Sequence, residues 1–181
     1  GRGLSPAQLV EDITEQCATL DDEVAAVGGT VRYVKPHGAL YNLMGTDPRL
    51  AGAVVEAVAR QAHGVLVAQA GTVVSDLARR SGVHVVPEGF PDRGYLADGR
   101  LVARSEGGAL VDDPATAAER AVSLVVRGGI AAAGGGWVAV EAQTLCIHGD
   151  EPDAALTADR VRSALEGAGV TLRPFAPPVR P

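Results

Sequence analysis

Apolar strand-like segments alternate with capped helical segments along most of this 181-residue chain, and the connections between them are short. Such alternation is typical of βαβ units, which place parallel strands side by side and cover them with helices. The sequence therefore predicts an α/β fold with a parallel sheet. The strand-like segments are TVRYVK (30–35), GVLVAQ (64–69), HVVPE (84–88), TLCIH (144–148) and VTLRPF (170–175).

Helix start signals separate these strands. Ser5, Pro6 and Gln8 form a capping-box pattern that predicts a helix over 6–26. Asp47-Pro48 and Asp113-Pro114 repeat the combination of cap and first-turn proline. Further helices are expected over 72–81 and 153–168, and hairpins over 94–104, where Asp-Gly marks the turn, and over 128–142.

Composition limits the partners of the chain. Sixteen basic and 22 acidic residues give a formal charge of −6, which disfavours nucleic acid and anionic membrane surfaces as partners. The apolar runs are far shorter than the ~20 residues that span a bilayer. With two cysteines and neither a disulfide pattern nor a cysteine-based zinc motif, a cytoplasmic location is expected. The length predicts one domain over 1–175 and a frayed proline-rich tail over 176–181.

Polar side chains follow four of the predicted strands, in the turns KPHGALYN, QAGT, EGFPDRGY and HGDEPD. Because the carboxyl ends of parallel strands meet at one rim of a sheet, we expect these turns to share a site. The candidate residues at this rim are Lys35, His37, Asn42, Gln69, Thr72, Glu88, Asp92, Arg93, His148 and Asp150.

Lys35 is the only lysine among the sixteen cationic residues, and it lies two positions before His37. A compact ammonium group can act as a point charge on a carboxylate or phosphate, or as an acid-base group, in ways that a guanidinium cannot. The alternatives are a surface lysine and a structural loop histidine.

Two further clusters also have structural alternatives. Glu88, Asp92 and Arg93 can form an exposed salt-bridged turn, which would contribute little to stability. His148 and Asp150 suggest acid-base chemistry, but two ligands are too few for a zinc site, so no metal ligand is assigned. The glycines at 134–136 are not followed by Lys-Ser/Thr and match no phosphate-binding loop.

Three blocks, YVKPHGALYN, EGFPDRGYLADGRLVARSEGGALVDDP and TLCIHGDEPDA, resemble in order and spacing the signature blocks of the LamB/YcsF family, the group of 5-oxoprolinase A subunits. The resemblance implies a (β/α) barrel of the glycoside hydrolase/deacetylase kind. It also implies ATP-dependent hydrolysis of 5-oxo-L-proline to L-glutamate together with two partner subunits. ATP is thus the implied cofactor, and Mg²⁺ can accompany it. A requirement for a further divalent metal is left open.

Residue roles are assigned on that basis. Lys35 is expected to meet the phosphoryl or oxyanion charge, and His37 or His148 to transfer protons. Arg93 is expected to hold the substrate carboxylate. The catalytic candidates are Lys35, His37, His148 and Asp150, and the substrate-binding candidates are Tyr41, Asn42, Glu88, Asp92, Arg93 and Arg104.

The chain departs from the family at its start, because it lacks strings resembling the family's DLNCDLGE, GFHAGD and AHPG blocks. We therefore expect a piece of a longer protein, with a barrel incomplete at its N-terminal side and an open edge strand that a partner or a second copy would pair. Two alternative functions stay open: a metal-dependent hydrolase or deacetylase of the same fold, and a non-catalytic scaffold or regulatory copy.

Overall fold

The computed structural model describes residues 5–61, 64–150 and 152–175. The described residues divide into two compact units, the first formed by those up to residue 86 together with 174–175, and the second by those between 87 and 173. The prediction of a single domain over 1–175 stays a prediction. The tail at 176–181 lies outside the described residues.

Local capping sets the helices of the first unit. The Ser5 hydroxyl accepts a hydrogen bond from the Gln8 amide at 3.2 Å, and the Gln8 side chain accepts one from the Ser5 amide at 2.9 Å. Asp47 caps a later helix by accepting from the Arg49 amide at 2.8 Å, which lowers the pKa of the Asp47 carboxyl. The elements of this unit are α1 (Pro6–Ala26), α2 (Ala39–Leu43), α3 (Pro48–Ala59), β1 (Val65–Gln69), α4 (Val73–Arg80) and the first half of β2 (His84–Gly89).

The core of the first unit lies around α3 and β1. α3 packs against both α1 and α4, and its Val54 and Val58 are fully buried. Every residue of β1 is buried, as expected for a strand covered on both faces, and β1 is hydrogen-bonded to β2. No described helix is long and apolar enough to cross a bilayer.

The second unit contains the remaining elements. β2 pairs in parallel with β5, with Glu88 opposite Thr144, and β3 pairs antiparallel with β4. α5 packs against α6 through a cluster that includes Ala121 and Val161. The predicted Asp-Gly hairpin forms, with Tyr95 bridged antiparallel to Leu101. The elements are the second half of β2, α5 (Pro114–Val126), β3 (Gly129–Ala131), β4 (Trp137–Ala139), β5 (Thr144–Leu145) and α6 (Ala154–Gly167).

Three strand predictions need correction. Within 30–35 only Val34 pairs, in an isolated parallel bridge to Leu66. The β-propensity of this segment was not enough to form a strand, because no neighbouring strand pairs with it along its length. The predicted strand over 144–148 is confined to Thr144–Leu145; the Cys146 amide still donates to the Gly89 carbonyl, but the His148 amide donates to the Asp92 side chain instead of a backbone carbonyl. Residues 170–175 form no strand, and the Val170 amide donates to the Leu165 carbonyl after the end of α6.

Gly94 is a position where a side chain does not fit, because an added Cβ would collide with the carbonyl oxygen of Gly108. We expect Gly94→Ala to lower the free energy of unfolding by roughly 1–3 kcal/mol, as other overpacked sites do. Gly107→Ala is the matched control, because nothing lies within 4 Å of its added Cβ. Urea unfolding of both variants checks this, and equal stabilities would contradict the packing at Gly94.

Candidate functional site

His148 and Asp92 form a hydrogen-bonded pair in the second unit, 56 residues apart in sequence. The Asp92 Oδ2 atom lies 2.8 Å from the His148 Nδ1 atom and also accepts a hydrogen bond from the His148 backbone amide at 2.8 Å. Because Oδ2 already acts as an acceptor for the amide, the neutral imidazole is expected to carry its proton on Nδ1 and donate it to the same oxygen. The Nε2 atom is then left as the basic nitrogen of the ring.

Burial and ring stacking fix the position of this pair. The Asp92 side chain is about one-tenth exposed and the His148 side chain about one-fifth exposed. The Phe90 ring stacks on the imidazole at a centroid distance of 5.9 Å and an interplanar angle of 24°. A histidine held by a carboxylate, a backbone contact and an aromatic ring loses little orientation freedom when it takes or gives a proton.

The Asp92 Oδ1 atom is buried and accepts no hydrogen bond from the described residues. An unpaired buried carboxylate oxygen is destabilising, so such atoms tend to occur where function requires them. Positive charge partly offsets the penalty, because the guanidinium groups of Arg93 and Arg120 interact electrostatically with Asp92. Burial lowers the pKa of both arginines, and the nearby Arg104 lowers that of Arg93 further.

The two arginines also support the backbone around the pair. Arg93 donates from Nε to the Ala109 carbonyl at 3.0 Å and from Nη2 to the Val102 carbonyl at 2.7 Å. Arg120 donates from Nε to the Pro91 carbonyl at 2.8 Å and from Nη2 to the Arg93 carbonyl. These bonds give Arg93 a structural task, and its predicted contact with a substrate carboxylate stays a prediction.

Sequence reasoning missed Arg120, although a signal for it existed. Ala117, Ala121 and Leu124 lie on the buried face of α5, and Arg120 falls on the same face at helical spacing. A charged side chain within an apolar stripe needs buried partners, and here the partners are the carbonyls that follow β2.

Tyr95 supports the same loop from inside. Its hydroxyl oxygen accepts a hydrogen bond from the Phe90 amide at 2.8 Å, and the residue is 1% exposed. Burial raises the pKa of Tyr95 to about 12, with the Phe90 amide acting in the opposite direction. The neutral phenol is therefore part of the structure that positions Phe90 against His148.

Asp150 does not contact His148 in a hydrogen bond but forms an ion pair with Arg104, whose Nη1 atom lies 3.0 Å from its Oδ2 atom. Both side chains are about half exposed. The hydrogen bond from Arg104 lowers the pKa of the Asp150 carboxyl.

The alternative of an exposed salt-bridged turn is wrong for Glu88, Asp92 and Arg93. Their exposed fractions are 3%, 8% and 5%, so all three are buried polar residues. Glu88 lies in β2 opposite Thr144 of β5. Its predicted role in substrate binding stays a prediction.

In the first unit, Lys35 and His37 line a cavity of about 530 Å³ that is mostly apolar. The Lys35 Nζ atom lies 5.6 Å from the centroid of the buried Tyr41 ring, in a cation–π contact. Gly38, with φ of 62°, makes the turn that starts α2, and this short helix carries Tyr41 and the exposed Asn42.

The predicted site residues thus form two groups, one in each unit. Lys35, His37, Tyr41, Asn42, Gln69 and Thr72 belong to the first unit, and Glu88, Asp92, Arg93, Arg104, His148 and Asp150 to the second. A rim shared by both groups stays a prediction. Within the described ranges, no three His, Cys, Asp or Glu side chains are arranged to hold a metal ion.

The model of the LamB/YcsF family matches residues 3–180 of the chain. A 5-oxoprolinase A subunit of Agrobacterium fabrum (strain C58) is 42% identical over 170 residues, which cover 93% of this chain and 67% of the relative. The 5-oxoprolinase A subunit of Mycobacterium avium (strain 104) is 44% identical over 169 residues, with the same coverage. A crystal structure of a lactam utilization protein from Thermus thermophilus matches with a TM-score of 0.88 at 43% identity, covering 96% of this chain and 69% of that one. The chain spans about two thirds of the length of these proteins.

We expect neutral His148 to carry its proton on Nδ1, because Asp92 accepts at that atom. ¹⁵N NMR of the histidine side chains above the titration range would then show a protonated Nδ1 and an unprotonated Nε2 for His148. Asp92→Ala should shift His148 toward the tautomer mixture of the exposed His37, which serves as the internal control. A His148 spectrum that Asp92→Ala leaves unchanged would contradict the pairing.

The raised pKa of Tyr95 predicts that the chain loses stability at alkaline pH. The pKa of Tyr95 in the folded chain, about 12, lies above the ordinary value of 10. The contribution of its neutral phenol to the free energy of unfolding is therefore complete below pH 10 and is lost as pH rises toward 12. The contribution is at most about 2–3 kcal/mol. Urea unfolding between pH 9 and 11.5 should show a shallower decline for Tyr95→Phe, whereas the control Tyr33→Phe, at a half-exposed residue, should follow the wild type.

Proposed function

Because the chain belongs to the LamB/YcsF family, we propose that it is the A subunit of a 5-oxoprolinase, which hydrolyses the lactam of 5-oxo-L-proline to L-glutamate. The family membership confirms the resemblance drawn from KPHGALYN and the two later blocks. The observation that carries the proposal is the identity of 42–45% to relatives named as A subunits of 5-oxoprolinase.

The His148–Asp92 pair supplies the proton transfers that this reaction needs. Nε2 of His148 takes a proton from a water molecule, whose oxygen forms the new bond to the lactam carbonyl carbon. The carbon–nitrogen bond of the ring then breaks, and the proton held on Nε2 passes to the departing nitrogen. Asp92 keeps the basic nitrogen available by binding Nδ1, and its negative charge stabilises the imidazolium that forms in between.

We propose that the reaction depends on ATP, which would transfer its terminal phosphoryl group to the oxygen of the poorly electrophilic lactam and leave as ADP. After water has added and the ring has opened, a second water molecule would release the phosphoryl group as inorganic phosphate. Within this chain Lys35 is suited to bind a phosphoryl group. Its side chain lines a cavity of about 530 Å³, and a cation–π contact with the Tyr41 ring helps to hold the ammonium in place. The sequence offers no glycine-rich loop followed by Lys-Ser/Thr, so a complete nucleotide site is not assigned to this chain. His37 borders the same cavity and is the second candidate for proton transfer there.

We also propose two partner subunits, a cytoplasmic location and a (β/α) barrel of the glycoside hydrolase/deacetylase kind. The names of the relatives, which designate one subunit of an enzyme, support a multi-subunit assembly. Cys17 and Cys146 are partly buried and no disulfide joins them, which suits a reducing compartment. The parallel pairs Val34–Leu66 and β2–β5, with helices between strands, support the barrel.

Asp92→Asn tests the role of the pair, because it preserves shape but removes the charge that fixes the histidine. We expect kcat for 5-oxoproline hydrolysis, measured with ATP and the partner subunits, to fall roughly 10²- to 10⁴-fold. The KM for 5-oxoproline should change far less, since the substitution acts on proton transfer.

Asp112→Asn is the matched control, because Asp112 is an exposed aspartate of the same unit. It should keep wild-type kinetics. Wild-type kcat in a folded Asp92→Asn variant would exclude the proposed chemistry of the pair, and a wild-type complex without 5-oxoproline hydrolysis would exclude the proposed function itself.

A further inference from the structure

The ion pair between Arg104 and Asp150 links distant parts of the second unit. The Arg104 Nη1 atom lies 3.0 Å from the Asp150 Oδ2 atom, across 46 positions of sequence. The Arg100–Asp98 pair, in contrast, joins residues two positions apart on one turn. Two long side chains that pair across distant parts of the sequence lose more conformational freedom than two that pair within one turn. An exposed ion pair of this kind contributes little to the free energy of unfolding.

Both members are attached to the framework of the His148 site. Asp150 follows His148 by two residues, and His148 is hydrogen-bonded to Asp92 through both its ring and its backbone amide. Arg104 follows Val102 by two residues, and the Val102 carbonyl accepts a hydrogen bond from Arg93 at 2.7 Å. Two adjacent buried residues therefore hold the segments that carry the pair, Asp92 on the side of Asp150 and Arg93 on the side of Arg104.

Arg104 is better suited than Arg93 to meet an anion from solution. Arg93 is 5% exposed, and two of its donor nitrogens are bonded to backbone carbonyls. The Arg104 side chain is 46% exposed, and within the described ranges its one hydrogen bond runs from Nη1 to one oxygen of Asp150 at 3.0 Å. A guanidinium prefers to meet a carboxylate through two parallel hydrogen bonds, which a free carboxylate can provide.

From these contacts we propose that Arg104 binds the carboxylate of the lactam substrate and that Asp150 competes for Arg104 as an intramolecular carboxylate. The inference rests on the proposed function, since 5-oxoproline carries one carboxylate on its lactam ring. It assigns Arg104 as the specificity-determining residue, and it gives Asp150 a role in controlling access to Arg104 rather than in proton transfer.

The competition is expected to be weak enough for a substrate to overcome. An exposed ion pair changes an equilibrium constant by a factor of only about 1.5 to 5. A two-point contact between a guanidinium and a carboxylate is stronger and changes a binding constant roughly 10- to 100-fold. The substrate can therefore displace Asp150, and Asp150 sets the apparent affinity within a small range.

Steady-state kinetics of the complex with ATP and the partner subunits test this. Arg104→Gln should raise the KM for 5-oxoproline roughly 10- to 100-fold, with a smaller change in kcat. Arg104→Lys should recover part of the affinity. Asp150→Asn should lower the KM about 1.5- to 5-fold, because the competing charge is removed.

Two comparisons separate recognition of the carboxylate from a structural role. 2-Pyrrolidinone, a lactam without a carboxylate, should inhibit the wild type and Arg104→Gln equally. Arg100→Gln and Asp98→Asn are the matched controls, because that exposed pair lies in the same unit at 2.7 Å, and both should keep wild-type KM.

The outcomes are distinguishable from those that bear on the proposed function. An active wild type with an unchanged KM in Arg104→Gln would overturn this inference alone. A large fall in kcat for Asp150→Asn without a lower KM would make Asp150 a catalytic group and overturn its competing role. A wild-type complex that does not hydrolyse 5-oxoproline would overturn both proposals.

Discussion

Four backbone carbonyls in irregular parts of the second unit receive their hydrogen bonds from two arginine side chains, Arg93 and Arg120. Buried carbonyls outside helices and sheets need such partners, because an unpaired polar group in the interior is destabilising. The segment after β2 can therefore leave the sheet and still be buried. Asp92 and Phe90, which position His148, lie on this segment.

The charge distribution around Asp92 follows from the same arrangement. A buried carboxylate with one unpaired oxygen would be strongly unfavourable alone, and the positive charges of Arg93 and Arg120 compensate it. Asp92 can then serve as a fixed anion beside an imidazole that remains about one-fifth exposed. This combination of a buried anion and an accessible histidine suits proton transfer to a bound substrate better than it suits stability.

Membership of the LamB/YcsF family connects this geometry to lactam hydrolysis, yet the family name does not itself say which residues act. The contacts separate the residues of the second unit by task. The His148–Asp92 pair can move a proton, Arg93 and Arg120 support the backbone, and Arg104 is exposed enough to meet an anion. In the first unit, Lys35 and His37 border one cavity.

The sequence by itself determined the features that depend on neighbouring residues. The caps at Ser5, Asp47 and Asp113 and the turn at Asp98-Gly99 each act within a few positions, so the helices and hairpins were predicted close to their observed bounds. Only the tertiary structure decided which carboxylate binds His148. Asp150 lies two residues away in sequence and pairs instead with Arg104, whereas Asp92, 56 residues away, makes the hydrogen bond. The physical reason is that such a contact depends on how β2, β5 and the loop after β2 pack together, and no local propensity records that packing.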